Sequence, residues 1–167
     1  MTMEIQTNVT RQGTKLVLGF VGESGQGKTL SAIYVALGMA KGVGNGRVGF
    51  VDTENGRSRL YADDDVVKAN GGFDLIELRP PYSPERFLEA ITTFADAGYP
   101  VIVIDSISHE WNNVGGVVEM AENDPSKNDL AKWNKPKKRH TRFVQGSLRA
   151  KCHLLFCYRG KDKKVPA

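Results

Sequence analysis

Apolar positions gather into five short runs, each stopped by glycine, proline or a polar break. They are Leu16–Val21, Arg47–Asp52, Phe73–Leu78, Val101–Ile104 and Cys152–Tyr158. Runs of four to eight residues bounded by such breaks read as strands. Between them the spacing turns helical. After the first run Ile33, Leu37 and Ala40 share one face with Ala36 beside them, and a glycine-dense turn, Lys41–Gly46, closes the helix. Leu60–Asn70 reads as a short helix ended by Gly71-Gly72. Ser83-Pro84-Glu85 has the form of a helix start, with Ser83 at the N-cap, Phe87, Leu88, Ile91 and Phe94 at helical spacing, and Gly98 at the close. A helical or loop segment, broken at Gly115-Gly116, reaches about Asp124. Leu130–Ala150 is basic at first and then helical, and Pro136 places the basic part on a loop or helix start. Strands alternating with helices predict an α/β fold, a mostly parallel sheet between two helical layers. Residues 1–14 read as an arm and 15–167 as one domain, the usual reading at 167 residues.

Composition adds three constraints. No stretch approaches the roughly 20 apolar residues of a membrane span, and the polar start MTMEIQTNVTRQG lacks a signal-peptide core, so the expected location is the cytoplasm. Cys152 and Cys157 stand an odd number of residues apart in one strand and so on opposite faces, against a disulfide or a zinc pair. His109, His140 and His153 show no metal-ligand spacing. The net charge of +4 conceals an asymmetry: residues 1–131 hold 11 Lys and Arg against 18 Asp and Glu, whereas 132–167 hold 12 against Asp162 alone. That imbalance points to an anionic partner for the C-terminal part.

The sharpest chemical signal joins the first strand to its helix. Gly22-Glu23-Ser24-Gly25-Gln26-Gly27-Lys28-Thr29, followed by Leu30, satisfies G-x-x-x-x-G-K-[ST], the phosphate-binding loop of P-loop NTPases. Gly22 and Gly27 let backbone N–H groups approach phosphate oxygens, and the helix N-terminus adds partial positive charge. Lys28 supplies a full charge to the β- and γ-phosphates, and Thr29 offers a hydroxyl to Mg²⁺. VIVIDS (Val101–Ser106) fits the second half of such a site. Its buried strand delivers Asp105 to the C-terminal edge of the sheet, where open α/β sheets bind ligands and where Asp105 can hold Mg²⁺ opposite Thr29. Hydrolysis of ATP also needs a group that activates water. Glu54, two residues beyond Asp52 at the end of the second strand, is the first candidate, and Glu110 beside His109 is the runner-up. Arg159 ends the last strand, where a cation can stabilise charge developing on the γ-phosphate.

This arrangement, from about Lys15 to Arg159, resembles the RecA-type recombinase ATPase core. FVDTENGRSRLYA (Phe50–Ala62) is similar to the segment carrying the family's catalytic glutamate, with Glu54 at that position. The resemblance implies that Tyr61 stacks on adenine, that VIVIDS is the Walker B element, and that the last strand lies between the P-loop and Walker B strands. Arg159 departs from the glutamine that RecA carries there. SISHEW (Ser106–Trp111) and a Trp133…Pro136…His140 segment before CHLLFCYRGK resemble small phage and prophage AAA-family ATPases, some of which act in recombination and single-strand annealing. The resemblance implies ATP and Mg²⁺ as cofactors, assembly of several copies, single-stranded DNA as partner and the host cytoplasm as location. The chain stops soon after Arg159, as a compact or truncated version would.

The basic segment fits that partner. Lys132, Trp133, Lys135, Lys137, Lys138, Arg139 and Arg142 interleave cations with an aromatic, so phosphates can be neutralised while Trp133 stacks on an unpaired base. Two other functions share a P-loop. A small-molecule or nucleotide kinase would need lid arginines, for which Arg57, Arg59 and Arg86 are available, and a non-hydrolysing binding module would need only the nucleotide site.

Overall fold

Each of the five apolar runs forms a strand, and all five strands lie parallel in one sheet. The computed structural model describes residues 14–160 together with Ile5, Thr7 and Asn8. The rest of the expected arm, and the tail from Lys161, lie outside the described residues. In chain order the elements are β1 (Val17–Gly22), α1 (Lys28–Val43), β2 (Val48–Asp52), α2 (Asp65–Ala69), β3 (Asp74–Glu77), α3 (Pro84–Asp96), β4 (Val101–Asp105), α4 (Ser108–Asn112), α5 (Val117–Glu122), α6 (Asn134–Leu148) and β5 (His153–Arg159). Short 3₁₀ turns at Arg57–Tyr61 and Ala131–Trp133 precede α2 and α6.

The strand order is β1-β5-β4-β2-β3, with the last strand between the P-loop strand and β4, as the resemblance implies. Alternation sorts the core into two layers. Val101, Val103, Leu155 and Cys157 turn toward α1, where Ile33, Ala36, Leu37 and Ala40 form the apolar stripe expected of that helix. Ile102, Ile104, Leu154 and Phe156 turn the other way, toward Phe87, Ile91 and Phe94 of α3 and Phe143 of α6. The β4 strand is buried at every position because both faces are covered. A Cβ at Gly49 of β2 would stand 2.7 Å from the Phe94 ring, so a glycine there lets α3 close onto the sheet. Cys152 belongs to the α3–α6 layer and Cys157 to the α1 layer, on opposite faces as their spacing predicts. Burial pushes the Cys152 thiol up to about 11 and raises that of Cys157 as well, so both are inert at neutral pH.

One local expectation needs correction and two hold. Leu60–Asn70 is not one helix, because Asp64 accepts hydrogen bonds from Val66 N and Val67 N at 3.0 Å each and starts a new helix at Asp65. Ser83 occupies the N-cap of α3, but its hydroxyl makes no cap bond, and the backbone carbonyl of Ser83 takes Arg86 N and Phe87 N instead. The basic segment lies at the start of α6, the second of the two expected places, with Pro136 in the first turn, where no N–H is required of it.

Candidate active site

Parallel pairing brings the C-terminal ends of the strands to one edge. Gly22 pairs with Arg159, Asp105 with Cys157, and Asp52 with Asp105, so loop, cation and carboxylates share that edge. Between β1 and α1 the loop is shaped by its own side chains: Gln26 Oε1 accepts the Glu23 N–H at 3.1 Å, and Lys28 Nζ donates to the Glu23 carbonyl. Gly27 has φ +77°, a left-handed conformation that a side chain disfavours, and from it α1 begins. At Gly22 a Cβ would lie 2.7 Å from Gln26 Oε1 and push that side chain off the Glu23 N–H it accepts. Ser24, Gly25, Gly27, Lys28, Thr29 and Leu30 line a cleft together with Phe50, Asp52, Glu54, Arg57, Ser58, Leu60, Tyr61, Asp105 and Arg159. Gly22, Glu23 and Gln26 shape the loop from behind. Tyr61, half-buried against the α1 layer, is on the wall where the resemblance implies adenine.

The three acids at this edge have different surroundings. Asp52, 2 % exposed, accepts from Glu54 N at 2.6 Å, from Ser58 N at 2.9 Å and from the Ser58 hydroxyl. It is spent on folding the loop that carries Glu54. Glu54 is mostly buried; its Oε2 takes the Arg159 guanidinium, and its Oε1 lies 3.7 Å from His109 Nε2. Asp105, 8 % exposed, accepts the Thr29 hydroxyl at Oδ2. Burial raises the Asp105 carboxyl above its usual range; the Thr29 bond opposes that, the charges of Glu54 and Asp52 add to it, and Lys28 lowers it.

A buried carboxylate beside two others, touching a hydroxyl across a phosphate-binding loop, fits a divalent cation. Among the described residues no cluster of three or more His, Cys, Asp or Glu side chains is placed to hold a metal by itself. Thr29 and Asp105 would therefore need phosphate and water oxygens to complete a Mg²⁺ shell, as Mg²⁺ commonly has. The raised Asp105 also costs stability. Its contribution is full below the ordinary carboxylate value of 3.8 and is lost as pH rises through its higher folded value. Asp105→Asn is expected to melt higher than the unliganded wild type at pH 7, because it removes the buried charge. Scanning calorimetry at falling pH should show the gap closing, and a variant no more stable than wild type at pH 7 would contradict this.

Other candidates point elsewhere. Glu110 is buried and pairs with His140 Nδ1 at 3.0 Å, on the α6 side of α4 and outside the cleft, so it does not compete with Glu54. Arg59 pairs with Glu77 at 2.8 Å and Arg86 donates to the Arg79 and Pro81 carbonyls, which leaves Arg57 alone of the three lid candidates on the cleft wall. In the basic segment Lys132 pairs with Asp129 at 2.9 Å and Arg139 with Glu85 at 2.6 Å. Arg139 holds the Glu85 carboxyl below its usual range, although burial opposes this. Trp133 stacks on Trp111 with ring centroids 6.2 Å apart, and Lys137 lies 5.8 Å from the Trp133 ring. Lys135, Lys137, Lys138 and Arg142 are exposed.

Sequence reasoning missed Thr53 and His109. Thr53 N donates to the Asp105 carbonyl at 2.9 Å, and its hydroxyl accepts Ser106 N at 2.7 Å and donates to Ser106 O at 3.2 Å. It clasps the Glu54 loop to the Asp105 turn, and a β-branched residue between two acids at a strand end was the available signal.

A family model described as an AAA domain matches residues 14–166. No curated protein matches the chain. Among solved structures the chain is similar to the pCW3 conjugation coupling protein TcpA, in a monomer form with ATPγS, at 13% identity and a TM-score of 0.49, covering 90% of this chain and 44% of that one. It is also similar to a KaiC-like protein from the hyperthermophilic archaeon Pyrococcus horikoshii, at 18% identity and a TM-score of 0.49, covering 92% of this chain and 66% of that one. The chain thus spans less than half of the first and just under two thirds of the second.

Proposed function

The chain belongs to the AAA-domain family, and from that premise we propose that it binds ATP with Mg²⁺ in the cleft and hydrolyses it to ADP and phosphate. The observation that carries this reading is the convergence of Lys28, Thr29, Asp105 and Glu54 on one cleft at the C-terminal edge of a parallel sheet. Backbone N–H groups of the loop and Lys28 hold the β- and γ-phosphates. Thr29 and Asp105 hold Mg²⁺, which supplies positive charge to the phosphate oxygens. Glu54 takes a proton from water as the water oxygen bonds to the γ-phosphorus, and the bond from that phosphorus to the β–γ bridging oxygen breaks, releasing ADP. Arg159 offsets charge that builds on the transferred group, and Tyr61 carries the adenine.

The finer reading is a phage-type ATPase acting on single-stranded DNA in recombination or replication, as several copies assembled on the strand in the host cytoplasm. What supports it is that Lys135, Lys137, Lys138 and Arg142 of α6 are exposed, with Lys137 5.8 Å from the Trp133 ring, in a region with a large excess of positive charge. Such a surface fits a phosphate backbone with unpaired bases. Single-stranded DNA is expected to raise the rate of ATP hydrolysis several-fold at low salt, with the effect fading as salt is added, because released counterions carry that binding. Hydrolysis indifferent to DNA at every salt concentration would contradict the DNA part of this reading and leave the ATPase part standing.

A further inference from the structure

We propose that His109 is a positioning residue for this reaction, holding the Glu54 carboxylate in place opposite Arg159. The inference rests on the reading of Glu54 as the base. Glu54 is on a loop beyond β2, and a glutamate side chain on a loop has several rotamers to lose. Arg159 pairs with Oε2, and His109 Nε2 faces Oε1 at 3.7 Å, a gap that a small rotation of the Glu54 carboxylate closes to a hydrogen bond.

The imidazole is itself fixed. His109 is 6 % exposed, and its ring packs against Tyr82 with centroids 5.1 Å apart. The Tyr82 hydroxyl donates to the Thr53 carbonyl at 3.3 Å, so the residue that backs the ring also holds the peptide next to Glu54. The start of α4 is sewn to β5 as well. Ile107 N donates to the Cys157 carbonyl at 3.1 Å, the Ser106 hydroxyl donates to the same carbonyl at 3.3 Å, and Ser108 Oγ accepts Arg159 N at 2.9 Å. Glu54, Arg159 and His109 therefore move as one frame, tied together by Thr53, Ser106 and Ser108.

A neutral imidazole has a single N–H, and its tautomer decides what the ring can do. His109 Nδ1 has no hydrogen-bond partner among the described residues. The tautomer with the proton on Nε2 turns the donor toward Glu54 Oε1, 3.7 Å away, and leaves only a lone pair in the buried Nδ1 position, which costs less than burying an unpaired N–H there. Burial lowers the proton affinity of His109 and Arg159 acts in the same direction, against the charge of Glu54 and the Thr53 backbone, so the neutral form is the one favoured at pH 7. A base displaced by about 1 Å can lose a factor of about 100 in rate.

Two measurements test the assignment. Nitrogen-15 NMR of the full chain, which has only three histidines, is expected to show His109 neutral with its proton on Nε2, and Glu54→Gln to shift that ring. An unchanged His109 ring in Glu54→Gln would overturn the pairing, whether or not the protein hydrolyses ATP. In turnover, His109→Phe keeps a ring against Tyr82 and removes the donor. It is expected to lower kcat by about 10- to 100-fold with ATP affinity unchanged. His109→Gln, whose amide nitrogen reaches toward the same place, is expected to recover most of that loss. Wild-type kcat in His109→Phe, or equal losses in both variants, would overturn the positioning role. A wild-type chain that does not hydrolyse ATP would overturn the ATPase reading itself, while the NMR response still decides the pairing.

Discussion

Lys28→Ala is expected to weaken ATP binding by at least about 100-fold, close to 3 kcal/mol, and to abolish hydrolysis with it. Lys28 is the cation that the phosphate-binding loop itself brings to the cleft, which Arg57 and Arg159 also line. Its ammonium sits at the mouth of the loop on the Glu23 carbonyl, and hydrogen bonds from a charged donor are the strong ones. The change should not cost the fold. α1 keeps the Ser31 N to Gly27 O bond at 3.0 Å and the Thr29–Asp105 contact, and alanine suits the first turn of a helix. Calorimetric titration with Mg²⁺-ATP, beside a thermal melt, separates the two effects. Binding within tenfold of wild type would mean that the phosphates are not held where Lys28 stands.

Glu54→Gln should give the opposite pattern, with ATP binding retained and kcat reduced by about 10²- to 10⁴-fold, the range that a positioned general base supplies. Glutamine keeps the shape of the side chain and can still accept from Arg159, but it cannot take a proton from water. Asp52→Asn serves as the contrast. Asp52 accepts Ser58 N and Glu54 N, so its loss shakes the loop and is expected to lower stability together with rate. Single-turnover hydrolysis at saturating ATP reads the chemical step, and an unchanged rate in Glu54→Gln would remove Glu54 from the mechanism.

The parts of this site that could be read in the sequence are those whose chemistry is local. The phosphate-binding loop puts its glycines, Lys28 and Thr29 within eight consecutive residues, and the strand before and helix after it are set by local periodicity. Asp105 was legible because VIVID follows a good phosphate-binding loop at the spacing of a second nucleotide-site strand, and the resemblance placed β5 between β1 and β4. What escaped depends on long-range pairing. Nothing near Glu110 shows that His140, thirty residues on, draws it to α6, or that Arg139 spends its guanidinium on Glu85, fifty-four residues before it. His109 likewise acquires a meaning only when β2 and β4 set Asp52 beside Asp105 and bring the Glu54 loop over α4. The misread Leu60–Asn70 has a different cause. Three consecutive aspartates precede Val66, and local composition does not say which of them caps the helix; Asp64 does.

The most direct test of the central claim is to follow the oxygen. Purified wild-type chain, Lys28→Ala and Glu54→Gln are each incubated with Mg²⁺ and ATP in water enriched in oxygen-18, and the released phosphate is examined by mass spectrometry. Water attack activated by Glu54 predicts phosphate carrying at least one oxygen-18 from the wild type, next to none from Lys28→Ala, and a release slowed by orders of magnitude in Glu54→Gln. Labelled phosphate released at the same rate by all three proteins would contradict the account, since neither the loop nor the glutamate would then be part of the reaction.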